Sequence, residues 1–156
     1  MKKKVIAAGH ICLDITPVFS EKKAAQLGDI LTPGKLVNVG QADVHTGGSV
    51  ANTGLAMKFF GADVSLMGKI GDDPFGEMVR NVLKAHEAEQ GLLVSEREST
   101  SYTVVVAVPG IDRIFLHNPG ANNTFHTEDI PQEELEKTAL FHFGYPPLMK
   151  TMYEND

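Results

Sequence analysis

Cysteine is almost missing from this chain: Cys12 is the one thiol in 156 residues, and tryptophan does not occur. A single cysteine excludes an internal disulfide framework and a paired-cysteine zinc site. The six histidines, His10, His45, His86, His117, His126 and His142, show no His-Glu-x-x-His spacing, so no protein-ligated metal site is expected. As a nucleophile Cys12 would need a base partner that the sequence does not locate, and a small packed residue is its expected role. Positive charge is scarce as well. Lys and Arg number 14 against 20 Asp and Glu, a formal net charge of −6, which argues against a nucleic-acid surface, since binding to a phosphate backbone needs clustered cations. The basic run Lys2, Lys3, Lys4 precedes Val5-Ile6-Ala7-Ala8, but Gly9, His10 and Asp14 cut that apolar stretch short of a signal peptide's core. No run approaches the roughly 18 apolar residues of a membrane span. A Walker A motif, Gly-x-Ser-x-Gly, internal repeats and low-complexity tracts are also lacking. The expectation is a cytoplasmic protein with neither nucleic-acid nor membrane partners.

What is present suits one globular domain: 42% apolar and 22% charged residues. Residues 4–8 are a short run of β-branched and small residues ending in Gly9, as expected of a central parallel strand whose end opens onto a site. Gly47 and Gly48 precede a helix with apolar Val50, Leu55, Ala56, Phe59 and Phe60, which stops at Gly61. Residues 62–69 read as a second buried strand. Asp72-Asp73-Pro74 then starts a helix, with aspartate as cap and proline in the first turn, running to about residue 88 with Phe75, Met78, Val79, Val82 and Leu83 on one face. Capping accounts for both aspartates without a metal. Residues 91–94 are a third strand, and 102–108 with 113–117 form a hairpin across Pro109-Gly110-Ile111-Asp112. A helical turn near 127–137 and a strand at 140–143 follow. Residues 19–43 are irregular, with short strands expected at 30–31 and 36–39. This order predicts an α/β fold, a Rossmann-like and mostly parallel sheet flanked by helices.

Two places carry candidate chemistry. Glycines let the backbone approach a ligand and a helix start leaves amides unpaired, so Gly47, Gly48 and Ser49 can donate to hydroxyl or phosphate oxygens, joined by the Asn52 amide. The alternative is a tight strand-to-helix turn with Asn52 as a surface or capping residue. Asp14, five residues beyond Gly9, can accept hydrogen bonds from adjacent hydroxyls, or it can cap a loop.

The register Gly-Gly-x-x-x-Asn at residues 47–52, then Gly61, Gly68 and Gly71, then Asp-Asp-Pro-Phe-Gly at 72–76, resembles the N-terminal signature of the ribokinase-like (PfkB) carbohydrate kinases. Gly9-His10-Ile11-Cys12-Leu13-Asp14 matches the family's first-strand Gly-x-x-x-x-Asp, whose aspartate binds the sugar. The resemblance implies an ATP-dependent phosphorylation of a sugar or nucleoside hydroxyl, with Asp14, Gly47, Gly48, Ser49 and Asn52 on the substrate. It places a small β-sheet lid at about residues 16–45 and 101–118, with Thr103 and Val105 facing the sugar, and a homodimer through that lid. Gly120-Ala121-Asn122 recurs in the family, and Asn122 is expected to hold a turn. Tyr145 stands where ribokinases place a sugar-contacting glutamate, so its hydroxyl substitutes or its ring packs. Cys12 and Ser49 replace an asparagine and a lysine of ribokinases, so the resemblance does not specify ribose. The family's second signature, Asp-Thr-x-Gly-Ala-Gly-Asp, which carries the catalytic base and an anion hole, does not occur here. The resemblance therefore implies that residues 1–156 are the N-terminal part of one such domain. It puts the base, the ATP site and Mg²⁺ in a C-terminal half, with no cofactor bound tightly by this stretch and no activity from it alone. A non-catalytic sugar-binding or assembly module is the other reading.

Overall fold

The strand from Lys4 to Gly9, β1, is buried on both faces and sits inside a parallel sheet. The computed structural model describes residues 4–19 and 24–154. Lys2 and Lys3 of the basic run, residues 20–23 of the expected lid stretch, and residues 155–156 lie outside them. On one side β1 pairs with β4 (Asp63–Gly71), which pairs in turn with β5 (Leu92–Ser95), and on the other with β8 (Thr138–Gly144). The order β5-β4-β1-β8 is parallel throughout.

Helices α1 (Gly48–Phe59) and α2 (Pro74–Ala85) contribute to the core on one side of this sheet, where Ala7, Leu66 and Ile70 meet Val50, Ala51, Val79 and Leu83. A second buried cluster gathers Ile6, Ala8 and Met67 with Phe125, Ile130 and Met149, and the short helix α3 (Gln132–Glu136) adds Leu135. Small side chains on β1 let both layers come close. Asp73 caps α2 as expected, accepting from the Gly76 amide at 2.8 Å, and its other oxygen takes the Thr100 amide at 2.7 Å.

The buried face of α1 differs from the expected one. Phe59 and Phe60 are 84% and 85% exposed, while Ser49, Val50, Ala51 and Gly54 face inward. The reason is distance: a Cβ on Gly54 would collide with the Leu66 side chain, so the helix lies on the sheet through its smallest residues rather than its largest. In α2, Met78 is exposed and Gly76 takes the inward place.

A second, mixed sheet stands beside the first, in the order β3-β2-β6-β7. Its strands are β2 (Cys12–Pro17), β3 (Ala42–Gly47), β6 (Tyr102–Val106) and β7 (Ile114–Asn118). β2 runs antiparallel to β3 and parallel to β6, and β6 with β7 is the expected hairpin. The strands expected at 30–31 and 36–39 do not form. Residues there find no ladder partner, Leu36 is 90% exposed, and a 3₁₀ turn at Leu27–Asp29 takes the place of regular pairing.

Candidate functional site

The two sheets share one continuous stretch of chain. β1 ends at Gly9, whose φ of +119° suits glycine, and three residues later β2 begins in the other sheet. The crossing is pinned by Asn122 from the 3₁₀ turn Gly120–Thr124: its Oδ1 accepts the Ile11 amide at 3.2 Å and its Nδ2 donates to the Ile11 carbonyl at 2.8 Å. Asn122 and Ile11 are fully buried, so both backbone groups depend on this side chain. Asn122 thus does hold a turn, and the turn fixes where β2 starts.

With that start fixed, Asp14 falls opposite His45 of β3 and Thr103 of β6. A Cβ on Gly47 would run into the Asp14 carboxylate. Gly48, at φ +84°, would put a Cβ onto the His10 carbonyl, to which the Val50 amide donates at 3.2 Å. A Cβ on Gly144, at the end of β8, would meet Ser49. The glycines of the motif are therefore contact points between the helix entrance, the β1–β2 crossing and the end of β8.

These contacts frame a cavity of about 440 Å³ lined by Asp14, Gly48, Asn52, Thr103 and Tyr145, together with His10, Cys12, Phe115, His117 and Leu148. A neighbouring recess of about 240 Å³ shares Asn52 and Tyr145 and adds Ser49 and His142. Of the residues singled out in the sequence, Gly47 lies behind Asp14 rather than on the cavity wall. Val105 sits two residues farther along β6, opposite Phe115, and does not line the cavity. Tyr145 has φ +60°, a left-handed backbone that is uncommon outside glycine and that concentrates at functional sites. Sequence reasoning passed over His10, His117, Phe115 and Leu148. Phe115 and His117 are two apart on β7 and so share a face, a period-two signal that was available.

Several polar groups here have no protein partner. Both ring nitrogens of His10, Nε2 of His117 and Oγ of Ser49 are buried with no protein partner among the described residues. His10 is 3% exposed, and burial, helped by His117 nearby, lowers its pKa to about 4, so its ring is neutral at pH 7. Burial also lowers that of His117, against the pull of Asp14, and its Nδ1 lies 3.0 Å from the Thr103 hydroxyl. Burial, with Asp14 beside it, pushes the Cys12 thiol well above its usual range, which leaves it protonated and unreactive. Among the described residues no Lys or Arg forms an ion pair with Asp14. The site thus offers a carboxylate, neutral imidazoles, an amide and hydroxyls, the mixture of acceptors and donors that a polyol satisfies. No group of three His, Cys, Asp or Glu among the described residues is placed to ligate a metal.

Residues 2–154 match the model of the pfkB family carbohydrate kinases. The chain belongs to the pfkB family. Fructokinase-1 of Zea mays is 23% identical over 146 residues, which cover 92% of this chain and 42% of that protein. Among solved structures, the fructokinase from Xylella fastidiosa with bound ATP superposes with a TM-score of 0.70 at 20% identity, covering 92% of this chain and 39% of that one. The Methanocaldococcus jannaschii nucleoside kinase, an archaeal member of the ribokinase family, superposes at 0.69 with 22% identity, covering 94% and 46%. At such identities the likeness establishes the ribokinase-like fold. The pfkB chain described here spans about two fifths of the length of the curated relatives it matches. No helix among the described residues is long and apolar enough to cross a membrane.

Proposed function

We propose that this chain is the acceptor-binding part of a kinase that transfers the γ-phosphoryl group of ATP to a hydroxyl of a sugar or nucleoside. One observation carries the reading: Asp14 and the glycine-led entrance of α1, far apart in sequence, line the same cavity, and the carboxylate occupies the place a side chain at residue 47 would take. Asp14 accepts hydrogen bonds from adjacent hydroxyls, Asn52 and the amides at Gly48 and Ser49 donate, and Thr103 does either. Tyr145 closes the side next to the end of β8. The second sheet, with the stretches at about 16–45 and 101–118, acts as a lid that excludes water from the reacting phosphate. Its outer face, where Val44 and Leu116 are exposed, is the proposed contact of a homodimer.

ATP supplies the phosphoryl group when bound. The base, the nucleotide pocket and Mg²⁺ belong in this reading to a C-terminal half of the domain, so the chain alone binds acceptor without turning over ATP. The family membership and the balance of charge support a cytoplasmic enzyme. The test is calorimetric titration of sugars and nucleosides into residues 1–156 and into Asp14→Asn. A bound polyol whose affinity falls at least tenfold in the variant supports the reading. A polyol bound equally by both overturns Asp14 as its holder, and ATP turnover by this chain overturns the division of labour.

A further inference from the structure

The Asp14 carboxylate receives little support from the rest of the protein. Cys12 and Asp14 are two apart on β2 and so share a face, and Cys12 Sγ lies 3.3 Å from Asp14 Oδ1. Among the described residues this thiol is the one hydrogen-bond donor to the carboxylate. His45, opposite Asp14 on β3, turns instead to Asp43 at 2.7 Å. On the other side Thr103 of β6 holds its hydroxyl 4.0 Å from the same sulfur and 3.0 Å from Nδ1 of His117 on β7. Four polar side chains from three neighbouring strands thus form one row along the cavity wall: His117, Thr103, Cys12 and Asp14.

Counting hydrogens along the row gives it a direction. An ionised carboxylate only accepts, so the hydrogen between Asp14 and Cys12 belongs to the thiol. Burial, with Asp14 alongside, keeps that thiol protonated. Its one hydrogen is spent on Asp14, so the sulfur meets Thr103 as an acceptor. The Thr103 hydroxyl also has one hydrogen, and giving it to the sulfur leaves the oxygen to accept from His117. Burial lowers the His117 pKa, so at pH 7 the ring carries a single hydrogen, and the row requires it on Nδ1. The opposite order would turn the Thr103 dipole away from the negative charge at the end of the row, whereas hydrogen bonds that all run toward that charge strengthen one another.

Resting on the acceptor-binding reading above, we infer that Cys12 and Thr103 are positioning residues for the Asp14 carboxylate, and that the same row fixes His117 as its Nδ1–H tautomer, a specificity-determining acceptor. Cys12 occupies one lone pair of Oδ1 and leaves the others to the ligand. Nε2 of His117, which lines the cavity buried and with no protein partner among the described residues, takes a hydrogen from a ligand hydroxyl rather than giving one. Both ends of the row therefore ask the ligand for hydroxyl hydrogens. A ligand that presents an ether oxygen or a carboxylate to either end leaves two acceptors facing each other and is refused.

The row is read first without a ligand. Nitrogen NMR of the isotopically labelled chain at pH 7, with the ring assigned by its loss in His117→Gln, is expected to show hydrogen on Nδ1 of His117 and none on Nε2. Cys12 is the one thiol in the chain, so its S–H stretch in the Raman spectrum is unambiguous. That band is expected to rise in wavenumber in Asp14→Asn, whose neutral amide accepts more weakly. Thr103→Val, similar in shape, removes the hydroxyl and is expected to release His117 into a mixture of tautomers. Cys12→Ala loosens the preference and Cys12→Ser restores it, a rescue that packing alone would not produce. Melting curves confirm that each variant folds, and the wild-type tautomer decides the matter even where a variant does not. Hydrogen on Nε2 of wild-type His117, or a thiol band unmoved by Asp14→Asn, overturns this inference and leaves the polyol site standing. Calorimetric titration of D-fructose and D-ribose adds the binding arm: Cys12→Ala is expected to bind the tighter sugar severalfold more weakly, with recovery in Cys12→Ser. Equal affinity in all three proteins overturns the positioning role. If neither sugar binds the wild type at millimolar concentration, the acceptor-binding reading falls, and the role assigned to the row falls with it.

Discussion

Replacing His10 gives a test of the site that needs no ligand. The imidazole is 3% exposed, its two nitrogens have no protein partner among the described residues, and burial lowers its pKa from 6.5 to about 4. In the unfolded chain the ring regains water and titrates near its ordinary value. The folded pKa is the lower one, so the unfolded state binds the proton more tightly. The neutral ring's contribution is therefore intact above about pH 6.5 and lost as the pH falls through about 4. The gap corresponds to about 3 kcal/mol, a large part of the roughly 5–15 kcal/mol that holds a domain of this kind together. Urea unfolding of the wild type and of His10→Asn, each measured at intervals between about pH 7 and pH 4, reads the effect as a difference in slope. The wild type is expected to lose about 3 kcal/mol more than the variant across that window. His117 interacts with His10 at 5.3 Å between ring centres, so both proteins carry His117→Asn to remove its titration from the comparison. A lower stability of the variant at neutral pH does not matter, because the comparison is of slopes. Parallel curves would refute the reasoning, since they would mean that protonation of His10 is not opposed by the fold.

Two further substitutions probe the frame around the cavity. Gly48→Ala forces a Cβ at φ +84° onto the His10 carbonyl, and is expected to cost about 2 kcal/mol or more and to weaken polyol binding. Thermal melts and calorimetry check both, and a variant as stable as the wild type would show that the turn relaxes. Asn122→Ala strips the Ile11 amide and carbonyl of their partner in a fully buried place. Leaving two buried backbone groups unpaired is expected to cost on the order of 2–4 kcal/mol, with Asn122→Asp intermediate because it keeps the acceptor, and denaturant midpoints at unchanged slope would show it.

The parallel sheet could be read from the chain because its strands carry their own evidence: a continuous apolar run at β1 and a largely apolar one at β4, each ended by glycine, with a well-capped helix between β4 and β5. The proline and aspartate at the start of α2 fixed that boundary to within a residue. The second sheet was harder, since β2 and β3 are short, half-exposed strands whose pairing depends on contacts distant in sequence. In Cys12–Pro17 the alternation is confined to Leu13-Asp14-Ile15-Thr16, a run too short to announce a strand by itself. The face of α1 was misjudged because the largest apolar residues, Phe59 and Phe60, look like core, whereas close packing on a sheet selects the smallest ones. At the site, Asp14, Gly48 and Asn52 could be picked out because a glycine spacing flags a backbone that must come near something. His10 could not, since an isolated histidine has no periodicity, and the period-two spacing of Phe115 and His117 marks a shared face without saying what that face meets until the two sheets come together.

That difference says something about how the cavity is built. Three glycines at the site are defined by what fills the space where a side chain would be: the Asp14 carboxylate for Gly47, the His10 carbonyl for Gly48, Ser49 for Gly144. The polar groups offered to a ligand are thus the same groups that forbid a Cβ, and the conformation of the helix entrance and the direction of the carboxylate are a single constraint. A substitution at any of these glycines moves a binding group as surely as it strains the backbone. Loss of affinity and loss of stability at residues 47, 48 and 144 should therefore travel together.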